Sequence, residues 1–366
     1  MFFVVKNMHY LPEPSPRTPP RIGILLINMG TPDAPTTPAV RRYLAEFLSD
    51  PRVIETPRWL WKPILHGIIL RARPAKSAEK YRKIWTREGS PLLVHTKTQR
   101  DMLQGYLGEA LRNEGMPADR VIVEMGMRYG HPSVARGIEA LRQQGCDSLL
   151  VFPLYPQYAA STTGSSFDAV AACLRQRRFV PALKMIGSYA DHPAYIGALK
   201  ERIQKYWQRE GATEHLVMSF HGAPEKTRQD GDPYYDECCR TAQNLAAQLG
   251  LKKENWTLSF QSRFGRAQWL QPYTFEVLEA LGKKKLRRVD VVCPGFVSDC
   301  LETIEEIGMG GKEVFLKNGG SEFCLIPCLN DFPPWISAMV EILMPELRTM
   351  LKPQAAAMPT EDRRIF

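Results

Sequence analysis

Two segments far apart in the chain hold the side chains best suited to chemistry. His221 follows the apolar run Leu216-Val217-Met218-Ser219-Phe220 and precedes Gly222-Ala223-Pro224. An imidazole at the end of a buried strand, beside a residue with no side chain, can accept a proton or ligate a metal near neutral pH. It can equally be a core histidine satisfied by a backbone carbonyl. The second segment spans 296–306, where Asp299, Glu302 and Glu306 stand at i, i+3 and i+7. On an α-helix these positions share one face and make a ladder of carboxylates. The same Asp-x-x-Glu spacing suits a capping box, and acids near a helix N-terminus are favoured by its dipole. Histidine and carboxylates together shift the balance toward a divalent metal site or a proton relay, a donor set that suits Fe²⁺ and similar ions.

The elements that must position these groups alternate between apolar β-rich runs and helical stripes. Runs at 22–29, 121–127, 148–155, 183–189, 216–220, 256–260, 289–293 and 323–327 predict eight strands. Thr37 and Pro38 open a helix whose stripe is Val40, Tyr43, Leu44, Phe47 and Leu48. The halves echo each other: Asn28-Met29-Gly30-Thr31-Pro32 resembles Ser219-Phe220-His221-Gly222-Ala223-Pro224, and Met127-Arg128-Tyr129-Gly130 resembles Ser262-Arg263-Phe264-Gly265. The expected fold is therefore α/β, with two similar doubly wound, Rossmann-like domains, each on a parallel sheet of about four strands. Ligands of such sheets lie beyond the carboxyl ends of the strands. Met29, Arg128, His221 and Arg263 occupy such ends, so two facing domains would enclose them in one cleft.

The 366 residues suffice for two or three domains, and 44% hydrophobic with 24% charged residues excludes disordered and fibrous classes. Lys plus Arg is 48 against 39 for Asp plus Glu, a net +9. Ten basic and two acidic residues fall between positions 52 and 87, so this window carries most of the surplus. Trp59, Leu60, Trp61, Ile64, Leu65, Ile68, Ile69 and Leu70 interleave with these cations. That mixture suits a membrane interface or an amphiphilic anionic ligand better than nucleic acid, although an ordinary solvated helix face has the same composition. No apolar run reaches the roughly 18 residues needed to span a bilayer, so any membrane contact is expected to be peripheral. Pro12, Pro14, Pro16, Pro19 and Pro20 make 1–20 an extended arm rather than a signal peptide, and a cytoplasmic location at the inner face follows. Eight cysteines without a C-x-x-C pair read as reduced, buried thiols.

Absent motifs narrow the field. No G-x-x-x-x-G-K-[ST] or G-x-G-x-x-G follows a strand, and 155–166 lacks a nucleophile elbow, so nucleotide hydrolysis, nicotinamide chemistry and serine hydrolysis lose their usual support. From about residue 21 to residue 345 the chain resembles the ferrochelatases, which insert Fe²⁺ into a porphyrin. The carriers are Asn28 to Pro32, Gly126-Met127-Arg128-Tyr129-Gly130-His131-Pro132, Tyr155-Pro156-Gln157-Tyr158 with 161–166, Ser219 to Pro224, Gly231-Asp232-Pro233-Tyr234, Gln261-Ser262-Arg263 with Trp269-Leu270, and Ser298-Asp299 with Leu301-Glu302-Thr303.

The resemblance implies that His221 and Glu302 are the active-site pair, holding metal or taking protons, and that Asp299 and Glu306 extend an acidic path. It implies that Met29, Arg128 and Trp269 line the porphyrin pocket, and that Arg73, Lys76, Tyr81 and Ser90 form its lip and propionate contacts. Tyr158 and Phe296 complete the apolar walls in this reading. Cys300 stands where many relatives have a second histidine. Ala160 replaces a cysteine that holds a [2Fe–2S] cluster in some relatives, and no cysteine follows Cys328, so no cluster of that C-terminal type and no other tightly bound cofactor is expected. Expected partners are a porphyrin, ferrous iron and an anionic membrane surface, without nucleic acid, as monomer or homodimer. The domains are expected at 21–178 plus 330–366 and at 179–329. Alternatives are coproporphyrin III ferrochelatase, a cobalt chelatase of the same fold, and a non-catalytic two-domain haem-binding protein.

Overall fold

Strands buried on both faces cannot alternate apolar with polar residues, and the first run obeys this: nine of the eleven residues from Arg21 to Thr31 are buried. The computed structural model describes residues 21–265 and 267–351. The proline-rich segment 1–20, expected as an arm, lies outside the described residues. In the first half, β1 (Arg21–Thr31), β2 (Val121–Gly130), β3 (Cys146–Pro153) and β4 (Ala182–Met185) pair in parallel in the order β2-β1-β3-β4. In the second, β5 (His215–His221), β6 (Trp256–Gln261), β7 (Arg288–Val292) and β8 (Glu322–Leu325) repeat that order as β6-β5-β7-β8. The eight predicted runs are thus the eight described strands, and the internal echo is a repeated topology. In both sheets the order reverses beside the central strand, β1 or β5, which places ligand-accessible crevices at their carboxyl ends.

Helices α1 (Thr37–Phe47), α2 (Arg58–Ile64), α3 (Leu70–Ile84), α4 (Pro91–Asn113), α5 (Val134–Gln143) and α6 (Ser165–Leu174) belong to the first half, and α7 (Pro193–Glu210) leads to β5. Helices α8 (Glu225–Gln229), α9 (Tyr234–Leu249), α10 (Thr274–Lys283), α11 (Lys312–Lys317) and α12 (Pro333–Leu351) complete the second half. Helix α1 starts at Thr37 as the Thr-Pro signal implies, but the capping position is Thr36 and no side chain bonds there. Glu302–Gly311 forms a π-helix, wider than the α-helix assumed from spacing.

The expected boundary after residue 178 is corrected. β4 pairs with β3 from Ser148–Ala182 to Val151–Met185, so the first sheet claims the chain through Met185. Nor does the last helix return only to the first unit. Helix α12 packs against both α4 and α7, and one core joins Leu26 and Phe152 to Leu216 and Phe220 through Trp335, Met339 and Leu343. At its centre the rings of Tyr189, Tyr195 and Trp335 lie 5.5 to 6.0 Å apart, a geometry that adds to the 1.5 kcal/mol or more of burying each large side chain. The four buried cysteines, Cys238, Cys293, Cys300 and Cys328, fit the reading of core thiols, whereas the other four are half-buried.

Close packing of α5 on its sheet requires Gly137, where a Cβ would lie 2.6 Å from both Leu25 Cδ1 and Met125 O. Gly137→Ala is expected to lower stability by about 1–3 kcal/mol in urea unfolding; an unchanged midpoint would refute this packing.

Candidate functional site

His221 is the last residue of the central strand β5 and pairs with Gln261 at the end of β6. Its Nδ1 lies 2.7 Å from the Gly222 carbonyl. A carbonyl only accepts, so Nδ1 carries the proton and Nε2 is left with its lone pair. One ring nitrogen is thus satisfied by backbone, as a core histidine would be, and in the neutral ring the other keeps its lone pair. Gly222 is required here because a Cβ would meet Gln261 O at 2.5 Å and Trp269 Cε3 at 3.0 Å. Trp269 is held against this turn by the bond from Leu270 N to Ala223 O. The Phe296 ring centroid is 6.3 Å from the imidazole, and Tyr234 donates its hydroxyl to the His221 carbonyl.

The acids arrive on the π-helix. Glu302 is anchored by its carbonyl, which accepts from Gln261 Nε2 at 2.9 Å. One wide turn later, Glu306 accepts from the amide of Ser262 at 2.7 Å and from its hydroxyl at 2.6 Å. Ser262 reaches both oxygens because it adopts φ of 64°, left-handed backbone that non-glycine residues rarely take. Burial pushes the Glu306 pKa above the ordinary carboxylate range; the Ser262 hydroxyl and His221 pull it down, and Glu302 pushes it up again. His221, Glu302 and Glu306 thus form one electrostatic unit, with an acid poised to exchange protons closer to neutrality than a solvated glutamate.

Other expected positions behave differently. Asp299 has its own partners: its Oδ1 accepts from Thr303 Oγ1 and its Oδ2 from Asn330 Nδ2 and Cys328 N. With these bonds made it fastens the start of the π-helix, closer to the capping role its spacing also allowed. Arg128 donates to Asp50 and to Ser165, so its charge is already engaged. Burial would raise the Asp50 pKa, but the Ser165 hydroxyl, the Arg52 amide, Tyr129 and Arg128 more than offset it and hold the carboxyl below its ordinary value. Tyr81 and Ser90 are not on an open lip. Tyr81 is 7% exposed and bonded to Thr31 and Tyr43, and Ser90 is buried and accepts from Thr31 Oγ1. Tyr81 also feels the charge of Glu302, so it backs the acids instead. Lys76 is exposed on α3 and Arg73 half-buried, with the Arg73 guanidinium 3.8 Å above the Phe264 ring. Met29 is half-buried at the end of β1, with its amide on Asn28 Oδ1. The half-buried Tyr158 sits in a loop stapled to the second half, its amide donating to Glu237 and that of Ala160 to Asp232.

The sequence reading passed over Ser262, Gln261 and Glu237 as site residues. Their role depends on partners 41 to 79 positions away, and no local pattern marks it. Cys300, buried at the foot of the π-helix, bonds Glu302 and is pushed up in pKa by burial, so it stays a thiol. Among the described residues no three His, Cys, Asp or Glu side chains are grouped to hold a resident metal.

The ferrochelatase family model matches residues 21–347. Ferrochelatase of Methylibium petroleiphilum is 52% identical over 362 residues, covering 98% of each chain. Ferrochelatase of Chromobacterium violaceum is 54% identical over 336 residues, covering 91% of each. Among solved structures, SirB from Bacillus subtilis with Fe³⁺ superimposes with a TM-score of 0.51 at 13% identity, covering 91% of this chain and 96% of its own, which shows a shared fold.

Removing the Ser262 hydroxyl takes away a donor that favours ionised Glu306. Ser262→Ala is therefore expected to move the Glu306 titration upward when followed by carboxyl ¹³C NMR; an unchanged or lower midpoint would contradict the assigned contact.

Proposed function

The chain belongs to the ferrochelatase family, and from that premise we propose that its cleft inserts Fe²⁺ into protoporphyrin IX, forming protohaem and releasing two protons. The observation that carries this reading is the open Nε2 of His221 beside two carboxylates, one of them with a raised pKa. Insertion requires the two pyrrole N–H protons to leave as the weakly ligated ion arrives. His221 Nε2 takes a proton while Nδ1 stays on the Gly222 carbonyl, and the resulting imidazolium is stabilised by Glu306 and Glu302. Glu306 then accepts the proton, a transfer favoured by its raised pKa, and resets the histidine. Trp269, Phe296, Met29 and Tyr158 provide the apolar walls that hold the ring against this edge, and strain in the ring is offset by binding energy from its remote groups. Arg73 and Lys76 suit the propionates better than Arg128, whose guanidinium is spent on Asp50.

The same reading explains the basic window. Trp59, Leu60, Ile64 and Ile68 are 77%, 47%, 36% and 62% exposed on α2 and the turn after it, beside Arg58, Lys62 and Arg71. No helix among the described residues is long and apolar enough to cross a membrane. We read this face as one that docks on anionic lipid next to the entrance for an amphiphilic, dicarboxylate substrate.

Anaerobic addition of Fe²⁺ is expected to quench porphyrin fluorescence at a catalytic rate, and His221→Ala to slow it by a factor on the order of 100 or more; normal turnover by that variant would overturn the assignment. A higher kcat/KM for coproporphyrin III than for protoporphyrin IX would replace the substrate. Neutralising Arg58, Lys62 and Arg71 with glutamine should weaken binding to phosphatidylserine vesicles by about 1 kcal/mol per charge and leave detergent assays intact. Unchanged vesicle binding would count against the docking face.

A further inference from the structure

Glu305 lies between the two site acids on the π-helix, yet it is turned toward the other half of the molecule. Its side chain is 9% exposed, and each of its oxygens takes an ammonium group from α3. Oε2 accepts from Lys80 Nζ at 2.8 Å and Oε1 from Lys83 Nζ at 3.3 Å. Residues three apart on a helix share a face, so both lysines can reach one carboxylate. An apolar seam seals the same contact: Leu301 and Ile304 at the start of the π-helix pack against Val40, Ala78, Tyr81 and Ile84 of α1 and α3. Helix α3 carries Arg73 and Lys76, with Lys76 one turn before Lys80, whereas the π-helix carries Glu302 and Glu306.

We propose that Glu305 is a positioning residue for metal insertion, clasped by Lys80 and Lys83 so that α3 and the carboxylate-bearing π-helix keep one relative placement. The proposal rests on the reading of the cleft as the site of insertion. A solvated ion pair would hold little, but this carboxylate is buried, and a buried charge without a partner drives its helix to move until water or another cation is found. The lysines are 50% and 55% exposed, so the clasp is open to screening by salt. Glu305 touches no reacting atom in this scheme. Its effect passes through the placement of Glu302 and Glu306.

The test compares steady-state iron insertion by the full chain as wild type, as Glu305→Gln, as Lys80→Met/Lys83→Met and as the triple variant. The expected result is a fall in kcat of about three- to tenfold for Glu305→Gln and for the lysine double variant, with porphyrin KM within about twofold. The triple variant is expected to be no slower than the lysine double variant, since the partners act as a unit. Raising ionic strength should lower kcat of the wild type and leave the variants unmoved, a signature that loss of fold stability does not produce. Unchanged kcat in both partial variants, or losses that multiply in the triple variant, would overturn the clasp. If Glu305→Gln does not fold, the surface double variant carries the test alone. A wild type that inserts no metal would overturn the insertion reading itself, whereas an active wild type with fully active variants sinks only the clasp.

Discussion

Three carboxylates within one wide turn of helix, at 302, 305 and 306, cannot share a half-buried cavity unless each finds its own compensation. Like charges a few ångströms apart repel strongly where water is excluded, and burial adds a desolvation cost to each. Much of the site is a set of answers to that constraint. Glu306 is gripped twice by Ser262 and faces His221. Glu305 is turned onto two lysines, and Glu302 is pinned through its backbone to Gln261. The cost of burial is not fully removed. With a smaller push from the charge of Glu302, it appears as the raised pKa of Glu306, a property that suits the proton transfer proposed for it.

The two halves share one topology and divide the labour. At the carboxyl end of β5 stands His221, with the acids of the π-helix facing it. At the corresponding end of the first sheet stands Met29, and near the end of β2 a cation, Arg128, is locked to Asp50 and Ser165, with Asp50 also accepting from Tyr129 and Ser165. That network ties the loop after α1 to β2 and α6 without presenting a free charge to the cleft. The halves are then joined in three ways: the shared core around α12, the staples from Glu237 and Asp232 to the 158–160 loop, and the contact of α3 with the π-helix. Such redundancy holds the imidazole and its wall residues in place within the small tolerance that catalysis by orientation demands.

A π-helix in place of an α-helix is central to this arrangement. Its i→i+5 bonding widens the turn, so Glu302 and Glu306, four apart, still lie on one side, while Glu305 swings toward α3. Asp299 precedes the turn and is consumed by Thr303, Asn330 and the Cys328 amide. Counting α-helical positions had placed it in line with the other acids. The wider winding and the nearby donors explain why its carboxylate is held at the foot of the helix.

The sequence alone determined what depends on local order and residue type. All eight strands were legible, because parallel strands buried on both faces are short apolar runs bounded by turns. His221, Glu302 and Glu306 stood out through chemistry carried by each side chain wherever it is placed. The tertiary structure decided what each polar group is paired with. Arg128 meets Asp50, 78 positions away, and Ser262 meets Glu306 across 44. Tyr81 and Ser90 are buried where a surface lip was expected, and the first sheet keeps β4 beyond the expected boundary. The physical reason is common to these cases. A strand's burial pattern is written in consecutive residues, but the free energy of a polar side chain is set by whichever partners the fold brings within 3 Å, and those come from distant parts of the chain.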